Sequence, residues 1–541
     1  MVPFTCITRL RRNILNPRRR PPSHECCRNH VLLCPAVFQP CCALRVLAIL
    51  RAPAAVACRA AALAHLSLCR VRPRLCRPPR PATVPLREMW RDERSVAPLR
   101  LRRDLMVMQV KLVKWTLTAS NAAVDALLHR PAFDAEAERV AREVLDAVRA
   151  EGDIAVARCI QQFDGAAVAL GKFRVSSDEV KAAYDVVDLE FRQAASEAYK
   201  RIIHFSKAGL RKDWTMASPK GGVLGEQFTP LARVGCYIPG GAAPLASTAL
   251  MTVTLARVAD VREVVACTPA GKDGKINPYL LYALDLAGAT EIYKIGGIQA
   301  IAAMAFGTES VRKVQKIVGP GGPYVTAAKR LVYGHVDLDL VAGPSEIAIL
   351  ADDTASPAAV AADLLSQAEH GTGHEKALLV TSSENLAKAV QAELMQQVAT
   401  LSRRAAVERV MEQGMLLVVV DHLDAGMDLC NQFAPEHLEV LVREPRTWAR
   451  KAHNAGAVFL GPWTPESAGD FVAGPSHVLP TGGMASVFAG LTVDSFRRRT
   501  SIVSLTRSDL QEMLPVIEAF GRVEQLDAHA RSAKIRFEKG K

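Results

Sequence analysis

The chain has 541 residues, 49% hydrophobic and 23% charged, the composition of a soluble globular protein long enough for two to four domains. Its net charge of +13 is unevenly placed: residues 1–105 hold 21 Arg, no Lys and five acidic residues, so residues 106–541 carry −3. That leaves little ground for nucleic-acid binding by the body of the chain.

Cysteine divides the same way. Nine of 13 lie before residue 106, and Cys159, Cys236, Cys267 and Cys430 are widely spaced without a CxxC pair. This is the usage of a reduced, cytoplasmic enzyme rather than a disulfide scaffold. The first 105 residues resemble an organelle transit peptide in being Arg-rich and acid-poor, but they are long and crowded with Cys and Pro. A membrane span fails, because the stretch 31–50 is broken by Pro and Arg45. The remaining reading is upstream sequence joined to a start at Met106 or Met108. On each reading residues 1–105 are expected to be disordered, and organelle targeting stays open beside a cytoplasmic location.

From about Leu128 to Leu210 the chain is charged and helical in period, with Val140, Val144, Leu145 and Val148 on one face. Residues 106–232 are therefore read as a helical N-terminal part. From Val234 the rhythm changes. Strands are expected at 233–238, 263–267, 291–295, 314–318 and 336–340, with helices near 247–258, 277–288, 298–306 and 323–333. The alternation restarts after Gly343-Pro344, with strands at 347–350, 377–381, 415–420, 438–442 and 457–460. Ser356-Pro357 opens a helix that closes at Gly371. This predicts an α/β fold of two Rossmann-like doubly wound lobes, 233–345 and 346–493, with a C-terminal arm over 494–541.

Within this frame Gln367 and His370 lie one turn apart at a helix end. Alone, the spacing favours a solvated helix end with a His on the dipole over a metal site. Glu436-His437 sets a carboxylate beside an imidazole, usable for proton transfer or simply an exposed turn. Asp470 lies in a Gly-bracketed loop, as a metal ligand or a turn residue. Two glycine-rich turns, Gly235–Gly241 and Val318–Tyr324, each follow a strand and could bring N–H groups to a phosphate. Neither is the G-x-G-x-x-G fingerprint.

Taken in order, VGCYIPGG (234–241), GGIQAIAAMAFGTESV (296–311), KIVGPGGPYV (316–325), AGPSEI (342–347), AADLLSQAEHG (361–371), APEHLE (434–439), NAGAVFLG (454–461), HVLPT (477–481) and Leu526-Asp527-Ala528-His529 resemble the histidinol dehydrogenase family. The resemblance implies a zinc-dependent homodimer, one zinc per subunit, that takes L-histidinol through L-histidinaldehyde to L-histidine in two NAD-linked steps of histidine biosynthesis. By position it implies zinc ligands Gln367, His370, Asp470 and His529, with Glu436 and His437 as the proton-transfer pair. Ser345, His437, His477 and Glu524, together with the zinc ligands, would meet substrate. Tyr237, Gln299 and Gly322 would lie against NAD. The C-terminal arm would reach a second subunit's site, and no nucleic acid or membrane is implied. Two positions depart from the family pattern: Gly322 and Ser476 stand where the family has Asn. Sister dehydrogenases acting on another small polar alcohol, such as a sulfopropanediol, share the same groups.

Overall fold

The computed structural model describes residues 110–538 except 131–133, 241–242 and 341–342; the expectations for residues 1–105 lie outside the described residues. Short apolar runs bounded by Gly and Pro form two parallel sheets. The smaller has the spatial order Glu291–Lys294, Glu263–Thr268, Arg233–Tyr237, Lys316–Val318 and Asp337–Leu338. Its three inner strands are buried on both faces, which is why they read as continuous rather than alternating runs. Val265 and Cys267 face a core shared with helices Ala135–Glu151, Gly297–Phe306 and Pro323–Val332. Val264 and Ala266 face helices Leu189–Gly209, Ala246–Val258 and Pro278–Ala287 on the other side. The strand order reverses at Arg233–Tyr237, which pairs with Glu263–Thr268 on one side and Lys316–Val318 on the other.

The larger sheet runs Lys111–Lys114, Met415–Val419, Lys376–Thr381, Glu346–Ala351, His437–Leu441 and Ala457–Leu460, all parallel. Ile347 and Ile349 enter one core, Ala348 and Leu350 the other. The fold is thus α/β with two Rossmann-like lobes.

The helical reading of 106–232 misses three strands. Lys111–Lys114 is a four-residue edge strand whose partner lies some 300 residues away. Trp214–Ala217 and Val223–Pro230 form a three-stranded antiparallel sheet with Arg497–Ser504 from the C-terminal arm. The arm continues as helices Arg507–Val523 and Asp527–Lys534. No described helix is long and apolar enough to cross a membrane.

The residues singled out from the sequence fall at opposite strand ends in the two parallel sheets. Glu346, Lys376 and His437 are the first residues of their strands, in neighbouring register, while Tyr237 and Val318 are the last of theirs. A cavity of about 210 Å³ is lined by Pro323 and Thr326 of helix Pro323–Val332 and by Gly343, Glu346 and Lys376 at the larger sheet, among others.

Candidate active site

Three segments converge at the N-terminal edge of the larger sheet. The first is helix Pro357–Ala368, set by the Ser356 cap and Pro at its first position. It buries Gln367 completely and leaves His370 just beyond its end, 38% exposed. The second is the start of strand His437–Leu441. Ala434 enters it at φ 46, a left-handed conformation that costs a non-glycine residue about 1 kcal/mol. The turn it makes delivers Glu436 and His437 buried beneath the sheet edge, 5% and 2% exposed. The third is helix Glu466–Phe471, which carries Glu466 and Asp470 four residues apart on one face.

His437 Nδ1 lies 3.0 Å from Gln367 Oε1. With the amide so oriented the oxygen can only accept, so Nδ1 carries the hydrogen and Nε2 keeps its lone pair. Nε2 has no hydrogen-bond partner among the described residues; Asp470 Oδ1 lies 3.6 Å away. His370 Nδ1 lies 3.1 Å from the Gln367 carbonyl, which can only accept, and 3.3 Å from Gln367 Nε2, which can only donate; with the shorter contact made, Nδ1 carries the hydrogen and Nε2 faces Asp470 Oδ2 at 3.8 Å. Glu436 Oε2 accepts the Glu346 N–H at 3.0 Å. Ser366 Oγ donates to Glu466 Oε2 at 2.7 Å, and the Glu466 N–H donates to Glu439 Oε1 at 2.7 Å.

Burial dominates the electrostatics. It pushes the Glu436 carboxyl well above its ordinary range, with Asp470 adding repulsion. Burial, then Asp470, raises Glu466 to about 8, and burial raises Asp470 to about 6. Burial, with His370 and His477 nearby, lowers His437 to about 3, so its imidazole is held neutral.

Donor atoms of His370, Glu466 and Asp470 lie within 4.8 Å of one another. Glu466 Oε1 is buried without a hydrogen-bond partner among the described residues. Crowded carboxyls, a free imidazole nitrogen and an unsatisfied oxygen are relieved together by one cation, so these residues fit a divalent metal. Glu466 is the member that sequence reasoning missed. Its signal was its place four residues before Asp470, just after Pro465.

The other expected residues fall into three places. His477 adjoins the cluster: its Nδ1 donates to the Asp470 carbonyl at 2.9 Å, and its Nε2 lies 3.1 Å from Thr248 Oγ1. Burial lowers its imidazole to about 4. Ser345 is half-buried at the edge of the larger sheet, where its carbonyl accepts the Lys376 N–H at 3.1 Å. Tyr237 and Gln299 lie at the C-terminal edge of the smaller sheet. The Tyr237 hydroxyl accepts the Gly297 N–H at 3.1 Å. Gln299 Nε2 donates to Asp164 at 3.3 Å, and its Oε1 has no hydrogen-bond partner among the described residues. Gly322 begins helix Pro323–Val332 with open space where a Cβ would stand, so sterics do not impose glycine there. Glu524 and His529 are exposed on the C-terminal arm and are not members of the donor group.

A family model described as histidinol dehydrogenase matches residues 128–537. The histidinol dehydrogenase of Heliobacterium mobile is 46% identical over 406 residues, covering 75% of this chain and 95% of that protein. That of Moorella thermoacetica is 46% identical over 397 residues, 73% of this chain and 93% of its own length. The crystal structure of histidinol dehydrogenase from Elizabethkingia anophelis superposes with a TM-score of 0.75 at 36% identity, covering 79% of this chain and 98% of that one. With two parallel sheets and a buried carboxyl and imidazole at the edge of the larger one, these likenesses define an enzyme of the α/β dehydrogenase class. The chain belongs to the histidinol dehydrogenase family.

Proposed function

We propose that this enzyme oxidises L-histidinol to L-histidine through L-histidinaldehyde, with two hydride transfers to NAD and one zinc ion per subunit. The observation that carries the reading is the buried Glu436–His437 pair beside the His370, Glu466 and Asp470 donors. Gln367, His370 and Asp470 would hold the metal, with Glu466 adjoining. Glu524 and His529, exposed here, would come from the arm of a second copy in a homodimer.

In the first half His437 Nε2 takes the alcohol proton while the carbinol hydrogen departs as hydride. Gln367 keeps that nitrogen free by holding Nδ1–H, and its amide oxygen retains a second lone pair. In the second half the Glu436 carboxylate takes a proton from water, whose oxygen adds to the aldehyde carbon, and the hydrate then loses its hydride. His477 is fixed by Asp470 and Thr248 at the wall of the substrate space. Holding the aldehyde at the site until the second hydride transfer would keep this reactive intermediate from escaping. A metal held by these residues would supply Lewis acidity to orient the substrate and a positive charge that favours the ionised form of Glu436. The hydride released in each half would pass to the nicotinamide of bound NAD.

One observation favours a second reading. The Ser476 hydroxyl donates to Met251 O at 3.3 Å and accepts the Val478 N–H at 3.2 Å, so it is turned into the protein beside His477. A loop without the family's Asn amide suits a sister dehydrogenase for another small polar alcohol. Initial rates with L-histidinol and a panel of such alcohols decide between them. The proposal expects L-histidinol to have the highest kcat/KM, and a better alcohol would transfer the assignment.

A further inference from the structure

The turn after strand Lys316–Val318 is held by charges that neither the proton-transfer pair nor the donor cluster uses. Lys329 and Asp339 form an ion pair with side chains only 2% and 1% exposed. Lys329 Nζ donates to the Gly319 carbonyl at 2.8 Å, and Asp339 Oδ2 accepts the Gly319 N–H at 2.7 Å. Asp339 Oδ1 also accepts the Leu340 N–H at 2.7 Å. Both backbone polar groups of one glycine are therefore tied to one buried pair. Gly319 has φ +114, and a Cβ there would lie 2.1 Å from the Tyr237 carbonyl oxygen. The turn is thus pressed against the end of the neighbouring strand, with no room for another residue.

Two buried charges are a poor way to gain stability, because an apolar pair of similar volume usually does as well or better. Their geometry favours a role in fixing one conformation. The place matters too. Strand order reverses between Arg233–Tyr237 and Lys316–Val318. In open α/β sheets the crevice at the carboxyl ends of strands at such a reversal receives the nucleotide. Gly319–Gly322 bridges this point to the first turn of helix Pro323–Val332, which has no side-chain cap at Gly322.

We propose that the Lys329–Asp339 pair is a positioning device for the dinucleotide, clamping Gly319 so that the Gly319–Gly322 turn is preformed to receive NAD. This rests on the NAD reading above. Neither residue touches the cofactor; both act through Gly319.

The test is NAD titration of the zinc-loaded full chain, with steady-state KM values for NAD and alcohol. Removing one charge strands the other and threatens folding, so two paired replacements are compared. Lys329→Met with Asp339→Leu removes both charges and the Gly319 acceptor. Lys329→Met with Asp339→Asn removes the charges but keeps an acceptor for the Gly319 N–H. The first should raise Kd and KM for NAD by about tenfold or more, with KM for alcohol and zinc content unchanged. The second should recover most of the NAD affinity. A folded first variant with wild-type NAD affinity overturns the clamp, as does an equal rise in both KM values with loss of zinc. Wild-type protein that fails to bind NAD overturns the cofactor reading and the clamp with it; wild-type binding beside an unaltered variant overturns the clamp alone.

Discussion

Replacing His437 by Asn isolates the one atom assigned to the first proton transfer. The Asn amide can still donate to Gln367 Oε1, where His437 Nδ1 does so at 3.0 Å, but it has nothing at the position of Nε2. Asp470 Oδ1, 3.6 Å from Nε2, is a nearby acceptor. Burial raises its carboxyl to about 6, so it can take a proton, but it lies off the position of Nε2 and is a donor of the metal cluster, so it can replace His437 only in part. A positioned general base contributes roughly 10²–10⁴-fold, and with this partial substitute the loss should be about 10³-fold, or roughly 4 kcal/mol of barrier. The lost ring contact with Phe459 should cost on the order of 1–2 kcal/mol of stability, too little to unfold the chain. Rapid mixing of enzyme, NAD and L-histidinol, followed by NADH absorbance in the first turnover, reads the step directly. A folded variant with the wild-type first-turnover rate would refute the assignment.

Glu436→Gln should spare the first hydride transfer and slow the second by about 10²–10⁴-fold, so aldehyde accumulates and can be trapped. A wild-type rate for the second NADH, with no trappable aldehyde, contradicts the role. Dialysis against a chelator should abolish turnover and zinc should restore it, while Glu466→Gln should weaken zinc binding by about tenfold in a chelator competition. Full activity in metal-free protein contradicts the donor set. The ion pair at the other edge of the smaller sheet makes a pH prediction. Hydrogen bonds from Arg233 hold Glu291 down at about 2 from its ordinary 4.5. That stability is present above the ordinary carboxyl range and fades as pH falls from 4.5 toward 2. The Tm difference between wild type and Glu291→Gln should therefore shrink between about pH 6 and about pH 3. A difference that does not vary with pH counts against the pair.

Much of the α/β frame was readable because buried parallel strands leave continuous apolar runs such as Val264–Cys267 and Leu378–Val380, punctuated by Gly and Pro. The antiparallel sheet was not. Val223–Pro230 pairs with Arg497–Ser504 across nearly the whole body, and Arg497-Arg498-Arg499 carries no apolar alternation to announce a strand. The site divides similarly. Glu436-His437 is suggestive as a dipeptide, whereas Gln367 and His370 gain meaning from the resemblance alone, because their spacing favours a solvated helix end. Glu466 reads locally as an ordinary first-turn acid. Its 2% exposure arises from Ser366, Glu439 and the sheet edge, elements that local periodicity does not connect.

The central claim is a four-electron oxidation by one site, and counting NADH against limiting L-histidinol tests it most directly. Zinc-loaded full-length protein should yield two NADH per histidinol, with L-histidine as the product and no aldehyde in solution. One NADH per histidinol with free aldehyde, or none from folded, zinc-bound protein, would contradict it.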